Sequence, residues 1–177
     1  MNKTDFEYKS LAYIVLFGYV FNLFFGWLGF FLTQGSGEQM LLYQIGNACA
    51  ISASVMAGRY TGLRGQHVAA SAFILLGITH GISLAALSKV GINAEREASM
   101  VMPMIPALLF MFWCDPFPKW LRMAAVIPSI LFTLVFVNVH LGDHQLGWTL
   151  YAGYATLQIL ELLWGIYIYK DWRQQSS

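Results

Sequence analysis

Charged residues are scarce in this sequence. They make up 11% of its 177 residues, whereas hydrophobic residues make up 58%. A soluble globular domain carries about 25% charged residues, so this chain has too little charge to cover a water-facing surface. Its apolar residues also fall in runs of about 20, the length of a helix that crosses the hydrocarbon of a bilayer. The composition therefore excludes an ordinary soluble domain and favours an integral membrane protein.

Basic residues, cysteines and catalytic motifs are also few. The net charge is +1 and no block of Lys and Arg is present, so we expect the lipid bilayer, and no nucleic acid, as a partner. Cys49 and Cys114 do not form a CxxC pair, and we expect buried apolar cysteines rather than a disulfide or a redox site. The sequence has no GxSxG, P-loop or dinucleotide-binding glycine motif, so it identifies no enzyme class.

Six hydrophobic segments separate cleanly, and they predict an all-α bundle of six transmembrane helices in one domain, residues 1–177. The breaks between the segments have the Gly, Pro, Asn and Asp content of turns. The first segment is longer than the apolar region of a cleavable signal peptide, so we expect it to be a span. The predicted spans are 8–32, 39–58, 67–88, 99–114, 121–140 and 147–169.

The basic residues are distributed unequally between the two predicted sides of the membrane. One side has only two basic residues, Lys89 and Arg96. Basic residues accumulate in cytoplasmic loops, so we expect both termini in the cytoplasm and the chain in a bacterial inner (plasma) membrane. The richer side has eight: Lys3, Lys9, Arg59, Arg64, Lys119, Arg122, Lys170 and Arg173.

Small residues and prolines predict how the spans pack. A small residue recurs every fourth position in span two, from Gly46 to Gly58, and in span three, from Gly77 to Ala85. Such faces let helix backbones approach closely in lipid. We expect spans two and three to pack together, with a homo-oligomer interface as the alternative. Prolines at 103, 106 and 128 predict kinks in spans four and five.

Polar side chains recur at one depth in five of the spans. Helix rise places each about 16–20 Å from the cytoplasmic edge, near the middle of the bilayer. A polar group is costly at that depth and is therefore a candidate for function. The five residues are Asn22, Asn47, His80, Thr133 and Gln158.

Glu161 is the only acid deep within a predicted span, and it lies three residues after Gln158 on the same helix face. A carboxyl in a dry environment tends to hold a proton, and imidazole titrates near physiological pH. Glu161 and His80 together are therefore candidates to relay a proton or to bind a polar or cationic ligand. The alternative is that the polar layer only joins the helices by hydrogen bonds.

A second candidate site follows span five. His140 and His144 are four residues apart, and Asp143 lies between them, so a helical turn here predicts a divalent-metal site. Gly142 argues against an unbroken helix, and a solvated loop is the alternative. A haem held by His80 and His140 is disfavoured because the two histidines differ in depth by roughly 10 Å.

Three functions remain open at this point. The leading hypothesis is a protein that binds or translocates a small molecule, proton or ion through a midplane pocket of Asn22, Asn47, His80, Gln158 and Glu161. The second is a metal-dependent membrane enzyme that acts on lipid-like substrates at an outward-facing site of His140, Asp143 and His144, with Glu97 as a further candidate. The third is a non-catalytic subunit of a larger membrane complex, which suits a short chain with short loops.

Overall fold

The structure is a computed structural model that describes residues 3–86, 94–142 and 147–175. Every regular element in these residues is a helix. The helices are α1 Lys3–Phe30, α2 Gly37–Leu63, α3 His67–Ala86, α4 Ala94–Val101, α5 Met104–Met111, α6 Lys119–Ala124, α7 Val126–His140 and α8 Trp148–Gln175.

Four helical segments are long enough and apolar enough to cross a membrane, which makes the chain compatible with a membrane protein. They coincide with the first, second, third and fifth predicted spans. Large apolar side chains on them are exposed, for example Phe24, Ile78 and Leu134, as expected of surfaces that meet lipid. The four segments are Phe6–Phe30, Gly37–Leu63, His67–Ala86 and Lys119–His140.

The predicted fourth span, 99–114, is two short helices instead of one. The break falls between Val101 and Met104 because Pro103 has no N–H to donate back into α4. Pro106 then lies in the first turn of α5, where a missing N–H costs nothing. The same reasoning explains the break between α6 and α7 at Ala125, which leaves Pro128 in the first turn of α7.

Glycines bring α2 into close contact with both of its sequence neighbours. A Cβ added at Gly58 would lie 3.0 Å from Ile74 of α3, and one added at Gly18 would lie 2.8 Å from the Cβ of Ala53. The predicted contact between spans two and three is therefore present. The small-residue face of α2 is divided between two partners, because Gly46 faces Asn22 of α1.

α8 runs antiparallel to α1 and packs against α1 and α7. Tyr13 of α1 meets Tyr169 near the end of α8, whereas Phe30 at the end of α1 meets Tyr151. We call the end of the bundle where α1 begins and α8 finishes the termini end, and the opposite end the cavity end. α8 is as long as α1 but less apolar, since it carries Gln158 and Glu161.

Candidate functional site

Four of the five residues predicted for the midplane site form one hydrogen-bonded chain, which we call the polar cluster: Asn22, Asn47, His80 and Glu161. The Nδ2 of Asn22 donates to Glu161 Oε2 at 2.7 Å. The other carboxyl oxygen, Oε1, lies 2.6 Å from His80 Nε2, and His80 Nδ1 lies 3.0 Å from Asn47 Oδ1. Side chains from α1, α2, α3 and α8 thus meet at one point.

The polar cluster is almost dry. Glu161 is fully buried, and Asn22 and His80 are each 3% exposed. No Lys or Arg of the described chain forms an ion pair with Glu161, so His80 is its only basic partner there. Burying a lone carboxylate is costly, and the cluster therefore favours a state in which Glu161 and His80 share a proton.

The hydrogen bonds determine how many protons this pair holds. Asn47 Nδ2 donates to the Tyr43 carbonyl at 2.9 Å, so Asn47 Oδ1 must act as an acceptor toward His80. His80 Nδ1 therefore carries a hydrogen, and its Nε2 faces Glu161 across 2.6 Å. That short gap needs one proton, either on Glu161 or on Nε2, because two lone pairs would otherwise face each other.

Gln158, the fifth predicted residue, lies beside the polar cluster rather than in it. A Cβ at Gly26 would lie 2.1 Å from Gln158 Nε2, so the Gln158 amide occupies space that only a glycine leaves open. Thr133 is the exception in the predicted layer. Its hydroxyl donates to the Ser129 carbonyl of its own helix at 2.8 Å. A threonine within a helix commonly forms this hydrogen bond to the carbonyl four residues earlier.

A cavity of about 390 Å³ adjoins the polar cluster and extends toward the cavity end. Asn22, Asn47, His80 and Gln158 line it, and Glu161 lies behind them. Most of the remaining wall is apolar or aromatic, as in pockets that bind small molecules. The other lining residues are Gly26, Trp27, Phe30, Phe31, Tyr43, Gly46, Ser83, Glu97, Met100, Leu150, Tyr151, Ala152, Tyr154, Ala155 and Leu157.

Two polar residues of this wall lie outside the predicted midplane set. Ser83 is 3% exposed, and its hydroxyl lies within hydrogen-bonding reach of the Tyr154 hydroxyl. Glu97 of α4 precedes the fourth predicted span, and its burial raises the pKa of its carboxyl to about 7, an effect that the neighbouring Arg96 partly offsets. The only sequence signal for Glu97 was its place on the same predicted side as His140.

The termini end is packed shut below the polar cluster. One turn beyond Glu161, the fully buried Trp164 makes an edge-on contact with Phe73 at a centroid distance of 5.9 Å. The hydroxyls of Tyr19 and Ser54 hydrogen-bond at 3.0 Å beside it. These side chains separate the cavity from the termini end.

Polar contacts tie the helices together at the termini end itself. Arg64, the residue directly after α2, pairs with Asp171 of α8 at 2.5 Å, and the hydroxyl of Tyr60 in α2 donates to the same carboxylate at 2.7 Å. Arg59 also pairs with Glu7 of α1. α1, α2 and α8 are thereby linked at the end opposite the cavity.

The predicted metal site is only partly within the described residues. His140 is exposed, and its Nδ1 donates to the Phe136 carbonyl at 2.8 Å while its ring lies against the Phe136 ring. Asp143 and His144 lie outside the described residues, so the divalent-metal site stays a prediction. A haem iron at His80 would have to displace Asn47 or Glu161, since hydrogen bonds occupy both ring nitrogens.

Comparisons of the chain with protein families, with curated proteins and with solved structures found no match.

Proposed function

We propose that this chain is a six-span membrane protein that binds a small molecule in the cavity and couples binding to the proton shared by Glu161 and His80. The observation that carries the proposal is the position of the polar cluster on the wall of a cavity of about 390 Å³. A hydrogen-bond network that only joined helices would need no open volume beside it.

The membrane setting is supported by the four membrane-length helices and by their exposed apolar side chains. The two further spans would be residues 99–114, broken at Pro103, and α8, which carries Glu161 as its buried acid. The excess of Lys and Arg at the termini end favours cytoplasmic termini and a bacterial inner membrane. In that orientation the cavity opens away from the cytoplasm.

Coupling between ligand binding and proton release follows from the hydrogen bond between Asn47 and His80. Asn47 lines the cavity and fixes the hydrogen on His80 Nδ1. A ligand that forms hydrogen bonds to the Asn47 amide turns it away from His80. The imidazole is then free to carry its one hydrogen on Nε2 and donate it to an ionised Glu161, and the second proton of the pair leaves through the cavity, which His80 lines. Binding and proton release are thus linked through one side chain.

Translocation of the ligand, a proton or an ion requires a second state. The termini end must open at the contact of Trp164 with Phe73 and at the pair of Arg64 with Asp171. The arrangement described above, with one end open and the other packed, corresponds to the outward-facing state of such a cycle.

The test is a ligand screen by thermal unfolding of the purified protein in lipid nanodiscs, at mildly acidic and mildly alkaline pH. We expect compounds that stabilise the wild type in a pH-dependent way, and loss of that pH dependence in Glu161→Gln. Glu38→Gln is the matched control, since it removes an exposed acid at the start of α2. A library without any stabilising compound, or an unchanged pH dependence in Glu161→Gln, contradicts the proposal.

A further inference from the structure

The cavity wall carries an acid that the proton-sharing pair does not use. Glu97 is 8% exposed and lines the cavity from α4, and it is not part of the polar cluster. Within the described residues, the lining set contains no Lys or Arg, and no basic side chain forms an ion pair with Glu97. The acid is therefore placed to meet a charge that comes with a ligand.

Aromatic rings make up much of the remaining wall. Trp27, Tyr43, Tyr151 and Tyr154 line the cavity together with two phenylalanines. The faces of such rings attract cations, and a cage of them is a common way to hold an alkylated ammonium group. Aromatic rings alone would also suit a neutral ligand, and the combination with a buried carboxyl is what favours a cation.

The mouth of the cavity indicates where the ligand comes from. Trp27, Phe30, Phe31 and Tyr151 line the cavity and are also exposed on the outside of α1 and α8. In the proposed membrane setting these rings lie at the lipid-facing edge of the cavity end. Such a mouth admits a molecule that dissolves in the bilayer and has an apolar body.

We infer that the cavity takes a lipophilic organic cation, an amine or quaternary ammonium with an aromatic or alkyl body, held by Glu97 and the aromatic rings. The inference rests on the proposed binding function and names its ligand class. The cavity of about 390 Å³ suits a molecule with one ring and a short chain.

The test compares three probes of equal shape in equilibrium dialysis with the wild-type protein in nanodiscs. They are phenylpropyltrimethylammonium, its uncharged isostere with carbon in place of nitrogen, and phenylpropanesulfonate. We expect the cation to bind about tenfold more tightly than the isostere, and the sulfonate to bind most weakly. Empty nanodiscs give the partition of each probe into lipid, which is subtracted.

Variants separate the role of Glu97 from general binding. Glu97→Gln should reduce cation binding to the level of the isostere, while Glu97→Asp should retain the cation preference. Glu95→Gln is the control, since it removes an exposed acid two residues away on the same helix. Equal binding of cation and isostere to the wild type, or a cation preference that survives in Glu97→Gln, overturns the inference but leaves a binding site. Failure of all three probes to bind folded protein overturns the inference, and the ligand screen then decides separately on the proposed function.

Discussion

Glu161 has two carboxyl oxygens, and each has a different partner. One faces the His80 imidazole and the other accepts from Asn22. The side chain is fully buried, so any replacement must satisfy both partners inside the protein. Glutamine and leucine differ in whether they can do so, which separates the structural role of this residue from its proton chemistry.

We predict that Glu161→Gln folds normally and that Glu161→Leu is destabilised by about 3 kcal/mol or more. A glutamine carbonyl accepts from Asn22 while its NH₂ donates to neutral His80, whereas leucine leaves both groups unpaired. Denaturation in detergent, followed by tryptophan fluorescence, measures the difference. Equal stability of the two variants would show that these hydrogen bonds are absent.

A second prediction concerns Glu97, which the unfolded chain exposes to water. The pKa of its carboxyl rises by burial from its usual 4.5 to about 7 in the folded protein. The folded protein therefore holds this proton more tightly, and stability falls as the pH rises from about 4.5 through about 7. The maximal loss is about 3 kcal/mol, from about 2.5 pH units at about 1.36 kcal/mol each. Its titratable and charged neighbours are Arg96 on α4, Tyr43 on α2 and Tyr154 on α8.

The measurement is the melting temperature of wild type and Glu97→Gln from about pH 4.5 to about pH 8. We expect the wild type to lose stability relative to the variant across this range. Glu95→Gln, which changes an exposed acid nearby, should follow the wild type. Parallel curves for wild type and Glu97→Gln would contradict a buried carboxyl at this position.

At the scale of the elements, close approach of helices depends on particular glycines. A Cβ at Gly18 would meet the Cβ of Ala53 at 2.8 Å and the Cys49 carbonyl at 3.0 Å, whereas one at Gly81 would meet nothing within 4 Å. An added methyl group is therefore crowded at Gly18 and unobstructed at Gly81. At Gly18 the obstacle includes backbone, which cannot move without separating α1 from α2.

We predict that Gly18→Ala destabilises the protein by about 1–3 kcal/mol, the usual cost of overpacking. Gly81→Ala should instead stabilise it by up to about 1 kcal/mol, because alanine has the higher helix propensity. Thermal unfolding of both variants in one detergent provides the comparison. If Gly18→Ala matched or exceeded the stability of Gly81→Ala, the close contact of α1 and α2 would be wrong.

Helix rise predicted which residues meet in the polar cluster, because antiparallel helices bring equal depths together. Asn22, Asn47 and His80 were identified in this way, whereas Glu161 was identified as the only acid deep within a span, on the helix face of Gln158. Depth does not determine the rotation of a helix about its axis, so Thr133 was expected in the layer although it faces elsewhere. Whether Ser83 and Glu97 line the cavity depends on the rotation of their helices and on the open volume beside them. A single sequence contains no direct signal for the rotation or for the volume.

Prolines limited the prediction of the helices themselves. A kink was expected near Pro103, but the chain forms two separate helices, since a break places both Pro103 and Pro106 where no N–H is needed. Hydrophobicity located the ends of α1, α2 and α3 to within five residues. It is a weaker guide to α8, whose polar residues are satisfied only by other helices.

For the whole molecule, the proposed orientation can be tested by cysteine labelling. We predict that, in intact bacterial cells expressing a variant without Cys49 and Cys114, a membrane-impermeant maleimide labels Gln34→Cys. It should label Gln175→Cys only after the cells are opened. Gln34 lies in the loop between α1 and α2, and Gln175 ends α8. Labelling of Gln175→Cys in intact cells would place the termini outside and reverse the direction of the cavity.

The partners of Glu161 have a consequence for biogenesis. Asn22 and His80 belong to α1 and α3, which leave the ribosome well before α8. An isolated α8 entering the bilayer would expose an acid to lipid, which the insertion machinery disfavours. Once the first three helices are in place, Asn22 and His80 can form hydrogen bonds with that acid. We therefore expect α8 to insert after α1 and α3, so that the polar cluster forms in the same step that completes the bundle.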